Sequence, residues 1–121
     1  MLGWHSLASG PMILNVTINE NSHPIRIPDG MPEEAVVMFA RMDADMDRGW
    51  QMSRVWVDRP DTFQRCQIVA NRLLTAMENH NQELATMMAA FIVARIPDVR
   101  EVVIDTSGDM MQTRIERGDQ P

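Results

Sequence analysis

DTFQRCQIVANRLLTAMENHNQELATMMAAFIVARI, residues 61–96, is the longest stretch of the chain without Gly or Pro, and it lies between Pro60 and Pro97. Nothing within it forces the backbone out of a helix. A series of side chains follows at alternating steps of three and four, which places them on one helical face. The series is Phe63, Cys66, Ala70, Leu73, Met77, His80, Leu84, Met87, Phe91 and Ala94. Towards residue 96 apolar side chains surround the helix, so other parts of the chain must cover it on several sides.

The segment Asn79-His80-Asn81-Gln82 is the weak point of this stretch. Because Asn favours caps and turns over helix interiors, the segment predicts a tight joint between two antiparallel helices. The unbroken register through His80 leaves open a single helix, which at 1.5 Å per residue would be roughly 50 Å long. We favour two helices, since a rod of that length is large for so small a domain. The spacing of Asp61 and Gln64 predicts a capping box at the start.

Strand patterns lie on both sides of the helical region. Residues 12–18 alternate with period two, 19–22 are turn formers, and 23–28 return as a second strand, which predicts a hairpin. Residues 101–105 and 110–116 predict a second hairpin. The sequence therefore predicts an α+β fold, in which two β-hairpins form one antiparallel sheet packed on a layer of two to three helices, in the order β-β-α-α-α-β-β.

A first helix is predicted between the first hairpin and residue 61. It begins near Pro32, which suits the first turn of a helix, and runs to about Arg54. Residues 55–57 either prolong this helix or form a short extended link. We expect a single domain over residues 12–117, with a flexible N-terminal tail at 1–11 and a polar C-terminal tail at 118–121.

Composition excludes several classes of function. A net charge of -6 argues against general nucleic-acid binding. All of the basic side chains other than His are Arg, which removes lysine-based Schiff-base and phosphate-loop chemistry, although a GC-rich genome also favours Arg. The single cysteine, Cys66, cannot form an internal disulfide and fits a reducing compartment, so we expect a cytoplasmic protein. No run approaches the roughly 20 apolar residues of a membrane span.

The aspartates Asp43, Asp45 and Asp47 resemble the start of a calcium loop. The resemblance ends there, because Arg48 and Arg54 stand where such a loop needs Gly and a bidentate Glu. If this segment is helical, Asp43 and Asp47 are like charges at i and i+4, which costs a few tenths of a kcal/mol. An Arg, a water-filled groove or a cation could neutralise them. We expect an Arg-paired or solvated face.

Methionines form a ladder on the first helix, at Met38, Met42 and Met46. Thioethers in a row can hold Cu(I), but Met also fills irregular cores and is over-used on promiscuous binding surfaces. The second interpretation is favoured because the ladder lies on a regular apolar face. Together with Trp50 and Trp56 these residues form the candidate binding surface.

The leading hypothesis is a bacterial, non-catalytic protein–protein interaction or regulatory module, which binds itself as a homodimer or binds another protein. It is motivated by more apolar helical surface than two hairpins easily cover, and by the lack of a catalytic motif. No catalytic residue, metal, cofactor or membrane partner is predicted.

The alternative is a small-molecule- or metal-binding protein or small enzyme that uses a polar cluster of Asp43, Asp47, Arg54 and His80. Nucleic-acid binding through Arg59, Arg65 and Arg72 is disfavoured by charge.

Overall fold

The computed structural model describes residues 12–30 and 33–118. The predicted tail at 1–11, residues 119–121 of the second tail, and Pro32 as the start of the first helix lie outside the described residues. The described chain has the order β1 (Met12–Ile18), β2 (Asn21–Ile27), α1 (Glu33–Met46), β3 (Trp50–Met52), β4 (Val55–Val57), α2 (Thr62–Glu78), α3 (Gln82–Arg95), β5 (Val99–Ile104) and β6 (Arg114–Arg117). The predicted α+β class is confirmed.

The long helical stretch consists of two helices, as predicted. The capping box of α2 is confirmed. The main-chain amide of Gln64 donates to the Asp61 side chain at 2.8 Å, and the main-chain amide of Asp61 donates to the Gln64 side chain at 2.9 Å. At the joint His80 has a φ of 57°, and the Asn81 side chain caps α3 by accepting from the Leu84 amide at 3.1 Å. No helix among the described residues is long and apolar enough to cross a membrane.

The two predicted hairpins join in one four-stranded sheet, in the order β2-β1-β5-β6. The sheet is mixed, whereas an antiparallel sheet was expected, because β1 and β5 run parallel. Thr17 donates a hydrogen bond to Glu101 across this parallel pair. Local sequence patterns determine each hairpin. Whether β5 runs parallel or antiparallel to β1 depends instead on the position at which α3 ends. Local sequence does not contain that information.

The predicted strand over 110–116 is shorter in the structure. Met110–Gln112 form a 3-10 turn, and β6 begins at Arg114. Asp109 caps this turn by accepting from the Met111 amide at 3.0 Å. The buried Gln67 of α2 donates from its side chain to the carbonyl oxygens of Met111 and Thr113, at 3.1 and 3.0 Å, and so ties the turn to the helical layer.

The core lies between the helices and one face of the sheet. Leu14 and Val16 of β1 are buried there, while Ile13 of the same strand is 61% exposed on the opposite face. This is the alternation expected of a sheet covered on one side. The part of α3 that is apolar all round is buried as expected, with Phe91 and Ile92 inaccessible to solvent.

The first helix ends earlier than predicted. Instead of continuing to Arg54, α1 stops at Met46, and β3 and β4 form a small separate hairpin, so the extended alternative for residues 55–57 is the correct one. Gly49 has a φ of 98°, which is easy for Gly and costly for other residues. A Cβ atom at Gly49 would lie 2.3 Å from the ring of Trp56. Gly49 thus permits both the end of the helix and the close approach of Trp56.

Replacing Gly49 tests this account. Gly49→Ala is expected to lower the free energy of unfolding by about 2–4 kcal/mol, since it combines left-handed backbone strain with a steric clash. Gly108→Ala is the matched control, because Gly108 has a φ of 100° but no atom within 4 Å of the added Cβ. It should cost only about 1–2 kcal/mol of backbone strain. Urea unfolding of both variants measures the difference, and equal losses would contradict the role assigned to Trp56.

Candidate functional site

The methionine ladder of α1 faces inward. Met42 and Met46 are buried and Met38 is half-buried, because the apolar stripe of α1 packs on the core, where Phe39 meets Phe91 edge to face at 5.4 Å between ring centroids. The two tryptophans of the candidate binding surface lie on the small hairpin, with Trp50 half-buried and Trp56 55% exposed. Burial removes Met42 and Met46 from that surface.

Asp43 of α1 and Asp47, the residue that follows this helix, are paired with arginines from two other helices. Arg65 of α2 donates to Asp43 at 3.0 Å and to Asp47 at 2.6 Å. Arg95 of α3 donates to the second carboxylate oxygen of Asp43 at 2.6 Å. Arg65 therefore neutralises the like-charge pair that the helical spacing created, and Asp43 connects α1 to both α2 and α3.

All three nitrogen atoms of the Arg65 guanidinium group donate hydrogen bonds. Its side chain is only 14% exposed, and its Nε donates to the Pro60 carbonyl at 2.8 Å. Burial opposes its charge, but the hydrogen bonds to Asp47 and Asp43 outweigh burial and raise the pKa of Arg65. The same hydrogen bond from Arg65 lowers the pKa of Asp47. Both groups are therefore ionised at neutral pH, and neither is prepared for proton transfer.

Arg95 and Arg59 complete the cluster. The Arg95 guanidinium lies 4.6 Å from the centroid of the Phe91 ring, which adds a cation–π contact to its ion pair with Asp43. Arg59 is 74% exposed and its nearest nitrogen is 3.7 Å from Asp47, so its contribution is that of a weak surface pair. Arg59 and Arg65, two of the three arginines considered for nucleic-acid binding, are thus turned towards carboxylates.

An apolar cleft of about 380 Å³ adjoins this cluster between α1 and α3. It is lined by Val36, Phe39, Ala40, Ala90 and Ala94, with Asp43 and Arg95 at one end. The side chains of Val36 and Val37, on the exposed side of α1, are 61% and 55% exposed. The exposed valines, the apolar cleft and the ion pairs therefore form one continuous surface. The sequence pattern did not reveal this surface, because Val36 and Val37 lie outside the apolar stripe of α1 that contains the methionines.

The predicted polar cluster is not brought together. Asp43 and Asp47 are adjacent, but Arg54 is an exposed residue of the turn between β3 and β4. His80 lies beyond the far end of α2 and lines a different cleft. Arg65 stands in the first turn of α2 and His80 follows its last residue, a separation on the order of 20 Å along the helix.

Cys66 and the acidic residues offer no alternative centre within the described residues. The thiol of Cys66 is fully buried, and burial raises its pKa to about 12. It is therefore neither charged nor accessible at neutral pH, as a nucleophile must be. Across residues 12–30 and 33–118, no three side chains of His, Cys, Asp or Glu converge as a metal site requires.

Comparisons with known proteins add no assignment. A scan against protein-family models finds no match, and searches of curated proteins and of solved structures find none either. The function of the surface around α1 is therefore inferred from its own contacts, burial and charge.

The role of Asp43 can be tested by removing its charge. Asp43→Asn takes the carboxylate partner from Arg95 and leaves Arg65 with Asp47 alone, and we expect the free energy of unfolding to fall by about 1–3 kcal/mol. Asp45→Asn is the control, since Asp45 is exposed on the same helix and its replacement should change stability by less than about 0.5 kcal/mol. Urea unfolding followed by circular dichroism compares the two. Equal stability of the two variants would show that Asp43 does not hold the helices together.

Proposed function

We propose that the protein is a non-catalytic interaction module that forms a homodimer through the exposed side of α1 and the cleft between α1 and α3. The observation that carries the proposal is the exposure of Val36 and Val37 directly beside an apolar cleft. Apolar side chains that project next to a recess of the same character are typical of interaction surfaces.

A second copy of the chain is the partner that this surface fits best. A two-fold interface uses the same patch on both subunits, so the patch must be complementary to itself. Here one patch contains both the projecting valines and the recess lined by Phe39, Ala40 and Ala90. The valines of each copy can therefore enter the cleft of the other, and the oppositely charged Asp43 and Arg95 at the rim can face their counterparts.

The energetics favour a weak dimer. Covering the exposed parts of Val36 and Val37 contributes on the order of 1 kcal/mol per side chain, or about 4 kcal/mol for both copies. Association costs at least about 4 kcal/mol in lost freedom, so the valines alone leave little surplus. Contacts at the rim must supply the rest, and we expect a dissociation constant in the micromolar range.

The edges of the sheet support this choice of surface, because neither suits pairing with another strand. The edge strand β2 contains Pro24, which lacks an amide hydrogen. The other edge, β6, is four residues long and has the charged side chains of Arg114, Glu116 and Arg117. Short, charged or proline-containing edges resist strand addition.

The state of the carboxylates supports a non-catalytic role. A general acid needs a carboxyl group whose pKa is raised towards neutrality, whereas Arg65 lowers the pKa of Asp47. Both oxygens of Asp43 accept hydrogen bonds from arginines. These residues serve better as structural ion pairs than as reactive groups. We place the module in the bacterial cytoplasm. This proposal is supported by the single cysteine and by the presence of Arg without any Lys.

Sedimentation equilibrium tests the dimer over concentrations from about 5 to 500 µM, a range that brackets the expected affinity. The wild-type mass should rise with concentration from 13.8 kDa towards twice that value. Val36→Glu should abolish the rise, because it would place a charge in the partner's apolar cleft. Ile13→Glu is the matched control, since Ile13 is also 61% exposed but lies on the open face of the sheet.

The two variants distinguish a specific interface at α1 from association through any exposed apolar side chain. If Ile13→Glu dissociates the dimer and Val36→Glu does not, the interface is on the sheet and the proposal is wrong. A wild-type mass of 13.8 kDa at every concentration would equally count against it.

A further inference from the structure

A second cleft lies at the opposite end of α2, between the edge strand β2 and the joint of α2 with α3. Its volume is about 500 Å³, within the range of small-molecule sites. The lining residues include His23, Ile25, Met77, His80 and Ala85. This region takes no part in the surface around α1.

This cleft lacks the acidic side chains that dominate the charge of the whole chain. The protein contains 17 Asp and Glu residues and has a net charge of -6, yet no Asp or Glu lines the cleft. Its ionisable lining residues are His23, His80 and Arg26. In the described residues, the imidazoles of His23 and His80 have no hydrogen-bond or ion-pair partner. Both are therefore available to a ligand.

Strand register defines how these groups are arranged. His23 pairs with the buried Val16, so the two side chains lie on the face of the sheet that the helices cover. Arg26 pairs with Ile13, which is on the open face, so alternation directs the Arg26 side chain away from the helices and leaves its main chain at the rim of the cleft. The two histidines are therefore the basic side chains that face the interior of the cleft.

The backbone at His80 is left-handed, a conformation that His adopts more often than most other non-Gly residues. His80 follows the end of α2 with a φ of 57°, a position that Gly normally occupies. The Asn81 amide donates to the Ala76 carbonyl at 2.8 Å, which completes the helix-ending motif without any contribution from the imidazole. The imidazole therefore takes no part in ending the helix and can contact a ligand in the cleft.

Pro24 argues against an added β-strand as the ligand of this cleft and so favours a small molecule. Asn19 and Glu20 form a two-residue turn, so hydrogen-bonded and non-hydrogen-bonded pairs alternate from the Ile18–Asn21 pair. Pro24 then falls at a non-hydrogen-bonded position, where its nitrogen faces the outer edge of the sheet. A strand added there would find one main-chain donor of β2 missing, at a residue that lines the cleft.

We propose that this cleft binds a small phosphate monoester with an apolar body. A phosphate presents several strong acceptor oxygens and nearly two negative charges, so it can accept hydrogen bonds from both imidazoles at once. Ile25, Met77 and Ala85 provide the apolar wall for the remainder of the ligand. The proposal is independent of dimer formation, since the two surfaces share no residue.

Titration of the 15N-labelled protein with hexyl phosphate, followed by amide chemical shifts, tests the proposal. Saturable shifts should centre on β2 and on the joint between α2 and α3. Inorganic phosphate should bind at the same place at least tenfold more weakly, because it lacks the apolar body. Hexanol should give no saturable shifts there. Equal binding of hexanol, or shifts centred on another surface, would overturn the proposal.

His80→Gly provides the decisive variant. It removes the imidazole and relieves the left-handed strain, so the fold should be retained and the melting temperature should not fall. We expect it to weaken hexyl phosphate binding at least tenfold. Arg54→Gln, which removes an exposed cation from the turn between β3 and β4, should bind as the wild type does. Wild-type affinity in His80→Gly, or equal losses in both variants, would show that the imidazole is not a ligand.

Discussion

One carboxylate forms ion pairs between all three helices of the helical layer. Asp43 of α1 accepts from Arg65 of α2 and Arg95 of α3, so a single side chain links all three helices. Arg65 is nearly buried, and a buried charge that loses its partner is strongly destabilising. Such a network contributes little net free energy compared with apolar packing, which holds the three helices in one core. Phe39 and Phe91 fill the adjacent space, and Arg95 lies over the Phe91 ring.

That arrangement determines which side of α1 meets solvent. With Met42 and Met46 turned into the core, Val36 and Val37 project beside the cleft between α1 and α3. The second cleft, at the far end of α2, is built from the edge of the sheet and the helix joint. The two surfaces differ in chemistry as well as place, since one is apolar with paired charges and the other is free of carboxylates. The proposed dimer interface and the proposed ligand site therefore occupy separate parts of the molecule.

The helices and hairpins could be predicted from sequence because their signals are local. The capping box of Asp61 and Gln64 and the joint at His80 depend on spacings of a few residues. The end of α1 was signalled by Gly49, but the apolar period continued through it and suggested a longer helix. The partners of Asp43 could not be predicted, since Arg65 and Arg95 are 22 and 52 residues away. The buried face of α1, by contrast, follows from its apolar stripe, which is a local pattern.

The most direct test of the proposed dimer is an isotope-filtered nuclear Overhauser experiment on a mixture of labelled and unlabelled copies. The mutual insertion of valines predicts contacts between the methyl groups of Val36 and Val37 in one copy and those of Ala90 and Ala94 in the other. The spectrum should show these contacts at high protein concentration and lose them on dilution. Intermolecular contacts that involve only the small hairpin or the open face of the sheet, or none at all, would contradict the account.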